Sequence, residues 1–401
     1  MFRKITNADQ AKDFFLKAIR PIEGTELINI ENCDGRIVAE DIYSQVDVPH
    51  YRRAAMDGFA VRAADTMGAN SSSPVLLRSD KDNEKGMCTR VHTGSLVPDW
   101  ADAVIMIEDT VVHGETVEVF TQVHPFKNVG ETGEDIRKGE LIIQKGHVIR
   151  PCDVAVLASV RIDKINVIRK PVVAIIPTGE EVVPRGGRYP EAGEVYETNG
   201  LMTFLYVKKW GAVPHLLDIV TDDPEKIKEA IQRVTGADMI IISGGTSVGK
   251  RDHVPAVVES LGTLLVHGVG ISPGKPTALG LVNLKPVVCM PGYPVAGMVA
   301  LYYFARPAVR KLAHIPDEPD RAVRAVLSEK IPGRIGYKTF ARVKLETGAG
   351  VNTRHISKAV PLATSGAGIL SSVSKADGFV IIPENVEGIS KGEEVEVVLI
   401  E

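Results

Sequence analysis

The run Ser243-Gly244-Gly245-Thr246-Ser247-Val248-Gly249, with Asp252 three residues on, is the richest chemical pattern in the chain. Glycines let backbone N–H groups approach an anion closely, and the two hydroxyls add donors. Asp252 offers a carboxylate to a metal bridging to phosphate. The Gly-Lys-Ser/Thr ending of a Walker loop is missing. The run therefore reads as a phosphate or phosphoester site, or as an ordinary glycine-rich turn. Three further loops have related chemistry: Pro177-Thr178-Gly179-Glu180-Glu181, Pro291-Gly292-Tyr293-Pro294 and Ser272-Pro273-Gly274-Lys275-Pro276. Lys275, held between two prolines, is a compact cation suited to an oxyanion. In a second region Asp57 stands between Met56 and Gly58, as a turn residue or a functional carboxylate. Val91-His92-Thr93-Gly94-Ser95 and Gly130-Glu131-Thr132-Gly133-Glu134-Asp135-Ile136-Arg137 are polar, glycine-punctuated loops. No Ser/His/Asp or Cys/His nucleophile arrangement is readable, and the 10 histidines make no HxH or HExxH. His253, beside Asp252, reads as a ligand or as a surface histidine at a helix start.

These loops need a frame. From Val172 the pattern alternates: strands Val172–Ile176, Val213–Leu217, Met239–Ser243 and Val287–Met290, and helices Thr198–Trp210, Pro224–Val234, Val254–Leu261 and Val295–Leu312. Asp222 or Asp223 is the cap of the second of these helices. Buried β-branched strands between helices predict an open, doubly wound parallel sheet. In such sheets ligands bind outside the carboxyl ends of the strands, which is where the glycine loops fall. Before this region, residues 47–145 read as short β-runs (Val75–Leu77, Ala103–Glu108, Thr116–Thr121, Leu141–Ile143) separated by Gly, Pro, Asn and Asp. A helix within residues 1–20, capped by Asn7 or Thr6, a strand Glu26–Glu31, a helix-like run Asp153–Ser159 and a strand Lys164–Ile168 flank it. Past the Pro316–Pro319 linker, runs at Ala322–Leu327, Thr339–Leu345, Gly378–Ile382 and Glu393–Ile400 predict a small β-barrel.

Composition narrows the function classes. A chain of 401 residues exceeds a single core, which stops growing near ~250–300 residues. With 47 Lys+Arg against 51 Asp+Glu the net charge is −4, so the basic excess of a general nucleic-acid binder is missing. Aromatic residues at 5% argue against a base-stacking platform. The longest apolar run, near Val295–Ala305, is about half the ~20 residues a membrane span needs. The N-terminus lacks the apolar stretch of a secretory signal. Cys33, Cys88, Cys152 and Cys289 form no CxxC pair, which predicts neither zinc nor a disulfide framework. The expectation is a reduced, cytoplasmic protein.

The motifs, taken together and in order, resemble the molybdopterin molybdenumtransferase or MoeA family, related to the gephyrin E domain. The resemblance runs through Asp47-Val48-Pro49, Ala55-Met56-Asp57-Gly58-Phe59-Ala60, Thr93-Gly94, Pro98 with Ala101-Asp102-Ala103-Val104, and Gly133-Glu134-Asp135-Ile136. It continues with Thr178-Gly179-Glu180-Glu181, Thr198-Asn199, Thr221-Asp222-Asp223-Pro224, the Gly244–Gly249 run with Asp252, Pro273-Gly274-Lys275-Pro276 and Pro291-Gly292-Tyr293-Pro294. It implies four domains: a discontinuous linker domain of residues 1–46 plus 146–170, a β-rich insertion 47–145, a molybdopterin-binding α/β domain 171–315, and a β-barrel 316–401. It also implies an elongated homodimer with its active site between subunits.

The implied activity is insertion of molybdate or tungstate into adenylylated molybdopterin, giving molybdenum cofactor and AMP with Mg²⁺ or a similar divalent ion. Transient contacts with the adenylyltransferase and with acceptor enzymes are implied as partners. Carried over by position, Asp57, Thr93, Asp135, Glu181, Asp222 and Asp252 take catalytic roles, Asp252 and Glu181 also holding the metal. Gly244, Gly245, Thr246, Ser247, Gly249, Lys275, Pro291, Pro294, Arg342 and Ser365 bind substrate. Ser272, Tyr293 and Gly368 depart from the common lysine, asparagine and serine. Two rivals are a molybdopterin adenylyltransferase and a gephyrin-like scaffold.

Overall fold

The structure, a computed structural model, describes residues 5–79, 84–245, 253–346, 357–363 and 368–400. They form two compact units, Thr25–Val167 and a larger one of Met1–Gly24 with Ile168–Glu401. Helix α1 (Ala8–Ala18) starts where the Asn7 side chain accepts the N–H groups of Asp9 and Gln10, at 3.0 and 3.1 Å. Its apolar face, Ala8, Ala11 and Phe15, enters the core of the α/β domain. Residues 1–24 therefore belong to the larger unit, whereas the expected grouping put 1–46 together. The amphipathic stripe of α1 determines this, because it must be buried somewhere.

In the smaller unit, β1 (Thr25–Asn29) pairs with β8 (Lys164–Ile168). One apolar cluster joins Ile30, Val38 and Ile42 to Ile149, Leu157 of α2 (Pro151–Ser159) and Val167. Residues 58–119 make a six-stranded sheet of β2 (Gly58–Val61), β3 (Val75–Ser79), β4 (Met87–Val91), β5 (Ala103–Met106), β6 (Thr110–His113) and β7 (Thr116–Val119), in the order β5-β2-β4-β3-β7-β6. Strand β2, all four residues buried, is an inner strand whose residues read as a loop in the sequence. Gly58 makes it possible, since a Cβ there would run into the carbonyl oxygen of Ile105. Phe59 then fills the core at 2% exposure, and Phe59→Ala would cost about 3–5 kcal/mol.

The larger unit holds the sheet that positions the glycine loops. Its strands are β9 (Val172–Pro177), β10 (Val213–Leu216), β11 (Met239–Ser243), β12 (Gly262–His267), β14 (Ala278–Val282) and β15 (Lys285–Met290), in the order β10-β9-β11-β15-β14-β12. The first four in this order run parallel, β14 runs against them, and β12, antiparallel to β14, runs with them again. The sheet is mixed, which corrects the all-parallel expectation. The cause is a hairpin between β14 and β15 through Asn283 and Leu284, with φ of 49° and 65°. Two left-handed residues are what a tight hairpin turn requires, but Asn-Leu lacks the glycine that signals it.

Helices α3 (Asn199–Lys209), α4 (Pro224–Arg233) and α5 (His253–Leu261) follow β9, β10 and β11, and Asp223 caps α4 by accepting the Glu225 N–H at 2.9 Å. The long helix expected after β15 is α6 (Pro294–Ala300), a π turn Leu301–Ala305 and α7 (Arg306–Leu312). Pro307 cannot donate to the carbonyl a turn before it, and the wider turn absorbs the defect.

The C-terminal strands β16 (Ala322–Leu327), β17 (Lys338–Glu346), β18 (Ser357–Ala363), β19 (Gly378–Ile382) and β20 (Glu394–Leu399) close into a five-strand barrel, in the order β17-β18-β16-β20-β19 and back to β17. Strand β18 was missed in the sequence because Pro361 interrupts it. Ala341, Val343, Val380 and Val397 fill the barrel, while Phe340 and Phe379 join the α/β core outside it. No helix of the described residues is long and apolar enough to cross a membrane.

Candidate functional site

Two clusters of the sequence-predicted residues form, one in each unit. In the larger unit the carboxyl ends of β9, β11 and β15 lie side by side, with Pro177 opposite Ser243 and Ser243 opposite Met290. The loops leaving them are tied together. Thr178 donates its N–H to Ser243 O at 2.7 Å, and Gly244 donates to Met290 O at 3.1 Å. Gly244 has φ +105°, and a Cβ there would collide with the Thr178 carbonyl. The glycine is thus needed for the loops to approach each other, as well as for the turn. A Cβ on Gly292 would lie 3.6 Å from the Gly244 Cα, which places the Pro291–Pro294 turn against the glycine turn. The Lys275 loop adjoins through α6: a Cβ on Gly274 would lie 3.6 Å from Ala296 O. Its preceding pair Ile271–Ser272 (β13) runs parallel to Lys338–Thr339 of the barrel. Lys275 is half-buried.

Asn199, quoted in the sequence only within a motif, links these loops. Its Nδ2 donates to Ser243 Oγ at 3.1 Å and to Gly292 O at 2.7 Å. The carbonyl partner fixes which end of the amide is nitrogen. No local pattern signals this role, since both partners come from other strand ends.

Asp222 lies among like charges. Burial, then Glu181, raises its carboxyl above the ordinary value of 3.8, with Glu180 adding to it and the Glu180 N–H and His253 opposing. Its Oδ1 is buried with no hydrogen-bond partner among the described residues. The neighbouring Asp223 does the capping, so Asp222 is free to face Glu181. The residue expected to share the metal with Glu181 was Asp252. Asp252, Thr246, Ser247, Gly249 and Ser365 all lie outside the described residues. Arg342 is 2% exposed, on the barrel's outer face in register with Phe379, and its burial lowers its pKa. It lies between the barrel and the α/β core rather than on open surface.

In the smaller unit Asp57 and Thr93 meet directly. Asp57 Oδ1 accepts the Thr93 N–H at 2.6 Å and the Thr93 Oγ1 hydroxyl at 2.9 Å. These bonds hold the Asp57 carboxyl below the usual carboxylate range. The surrounding loops interlock: Gly94 donates to Ala54 O at 2.8 Å, and Ala55 to Asn128 O at 2.9 Å. The Arg53 guanidinium pairs with Glu134 at 2.7 Å. Asp135 is exposed on the same loop, its N–H bonded to Val48 O at 3.1 Å. The motifs around 47–58, 93–96 and 128–136 are therefore one loop cluster. A separate cleft of about 300 Å³, lined by Lys12, Tyr303, Arg306, Arg310 and Asp320, contains none of the predicted residues.

Family models cover most of the chain: a MoeA N-terminal region (domains I and II) at residues 6–160, a probable molybdopterin binding domain at 174–311, and a MoeA C-terminal region (domain IV) at 324–400. The chain belongs to the MoeA family. A crystal structure of a molybdopterin biosynthesis MoeA protein from Pyrococcus horikoshii is 36% identical and superposes with a TM-score of 0.84, covering 99% of each chain. The molybdopterin molybdenumtransferase of Bacillus subtilis is 31% identical over 395 residues, 94% of this chain and 90% of that one. That of Haemophilus influenzae is 28% identical over 398 residues, 96% of each. The mixed sheet and closed five-strand barrel are thus a MoeA-like fold, and the tied glycine loops lie within its matched molybdopterin-binding region.

Proposed function

We propose that this MoeA-family chain inserts molybdate into adenylylated molybdopterin with release of AMP. The observation that carries the reading is Asp222: a carboxylate beside Glu181 with a buried oxygen that has no partner among the described residues, on the edge that also holds the Gly244–Gly245 turn. A phosphoanhydride substrate needs both features, a glycine turn that phosphate can approach closely and carboxylates for a divalent cation.

The donor set fits Mg²⁺ or a similar hard cation. Hard cations take oxygen ligands, and a cation relieves both the orphaned Oδ1 and the repulsion from Glu181. Asp222 and Glu181 would hold it, with Asp252 as the third carboxylate. When bound, it polarises the phosphoanhydride. The protein's own groups do the rest. The Gly244 N–H is taken by Met290 O, so the Gly245 amide is the one offered to phosphate, and Lys275 adds a charge-assisted donor for phosphate or oxyanion. Asp57, kept ionised by Thr93, acts as a fixed anionic acceptor that orients a protonated group of the substrate. Asp135 joins it, whereas Arg342, expected from the family resemblance to bind the oxyanion, is buried between the barrel and the α/β core and takes no part in this contact. A homodimer, in which Asp57, Thr93 and Asp135 of one subunit serve the strand ends of its partner, is the assembly the family resemblance supports.

The test is incubation with adenylylated molybdopterin and Mg²⁺, with and without molybdate or tungstate, scoring AMP. Oxyanion-dependent AMP release is the expected result, and the better oxyanion identifies the metal inserted. Transfer of AMP from Mg-ATP onto molybdopterin would replace this reading with an adenylyltransferase.

A further inference from the structure

Tyr293 is 64% exposed, in the turn that leaves the carboxyl end of β15. Its backbone is held firmly. Pro294 follows it, so the extended φ −68°, ψ 125° is the conformation a residue before proline prefers. Its carbonyl accepts the Gly297 N–H at 2.8 Å. Preceding Gly292 packs on Gly244, so the ring stands next to the glycine turn. On its other side is Gly368: a Cβ there would lie 3.4 Å from the Tyr293 Cδ1 and 3.7 Å from Cε1. The missing side chain leaves the ring room to lie against the barrel segment. Ile369 and Leu370, 47% and 41% exposed, extend the apolar surface from there. Among the described residues the phenol hydroxyl has no hydrogen-bond partner, so the ring's polar end does not fix it.

A rigidly mounted, exposed aromatic ring at the ligand edge of an α/β sheet suits one kind of contact, a flat heterocycle stacked on its face. We infer that Tyr293 is a stacking platform for a planar ring of the substrate, with Gly368 leaving the space that sets the ring's pose. This rests on the proposed substrate, which carries two such rings, a pterin and an adenine. Either would use the same face of the tyrosine, and the probes below separate them.

The experiment measures binding of pterin-6-carboxylate and of AMP by calorimetry to the wild-type chain, Tyr293→Phe and Tyr293→Ala. Equal thermal midpoints check folding, as expected for an exposed side chain. One of the two probes should lose about 5- to 100-fold in affinity in Tyr293→Ala, the range for losing one base–aromatic stack. Tyr293→Phe should stay within about two-fold, because the face of the ring is kept. The probe that weakens names the ring. Wild-type affinity for both probes in Tyr293→Ala, or equal losses in Phe and Ala, overturns the stacking role while leaving the functional reading intact. A wild-type chain that binds neither probe overturns both.

Discussion

Asp57 and Asp222 are two carboxylates of one chain in opposite environments. Asp57 is exposed, yet the Thr93 N–H and hydroxyl converge on its Oδ1 and hold it ionised. Asp222 is half-buried, has no partner for Oδ1 among the described residues and lies near Glu181; burial and that charge make ionisation harder. Among the described residues the first carboxylate is satisfied by hydrogen bonds and the second is not. That difference fits the different tasks proposed for them, a fixed anion in one cluster and a cation holder in the other.

The largest expected effect comes from removing the fixed anion. Asp57→Ala should lower oxyanion-dependent AMP release by about 10²–10³-fold, the loss typical of a preorganised electrostatic group, with only a small fall in thermal midpoint. Unchanged release would remove Asp57 from the chemistry and collapse the contrast.

Asp222→Asn comes next, with an effect of opposite kinds. Activity should fall at least about tenfold, and the Mg²⁺-induced rise in thermal midpoint seen in the wild type should vanish. Without cation, the variant should be more stable than the wild type at pH 7. The sign follows from a folded carboxyl that binds its proton more tightly than the unfolded one, so wild-type stability falls as pH rises through the raised value. The advantage of the variant should fade on acidification toward the ordinary 3.8, where the wild type is protonated too. A wild type that gains no stability from Mg²⁺ would break the cation assignment. For Asp57 the sign reverses: its contribution is present above the unfolded value and lost as pH falls.

Thr93→Val keeps the backbone donor and removes the hydroxyl. About a three- to tenfold loss of activity is expected, with the Asp57 carboxyl rising toward its ordinary value in an NMR titration. Smallest is Asp223→Ala, which removes only a helix cap. It should cost about 1 kcal/mol of stability and leave AMP release unchanged, separating the two adjacent aspartates by function.

Much of this was legible in the sequence because it rested on local patterns. Met239–Ser243 and Lys164–Ile168 are strands over the predicted residues, and the loops at 178–181, 244–245 and 291–294 do converge on one sheet edge. Family likeness singled out Asp57 and Thr93 separately, but their hydrogen bonds were not readable, since 36 residues separate them and no spacing rule joins two sheet loops. What the sequence hid was non-local or disguised. Strand β2 begins with a glycine that looks like a turn until Ile105 is seen packed against it. The Asn283-Leu284 hairpin has the right backbone with an unusual second residue, and so the antiparallel edge went unread. Asp222 and Asp223 were interchangeable as caps until the structure gave that task to Asp223. Asn199 carried no signal of its own, because its partners come from two other strand ends.

The central claim is that the fixed anion at Asp57 and the cation holder at Asp222 serve one oxyanion-dependent reaction. Its most direct test is AMP release from adenylylated molybdopterin with Mg²⁺, measured with and without molybdate or tungstate in the wild type, Asp57→Ala and Asp222→Asn. The account predicts release by the wild type only when an oxyanion is present, and loss of that release in both variants. Release that ignores the oxyanion, or that survives in either variant, would contradict it.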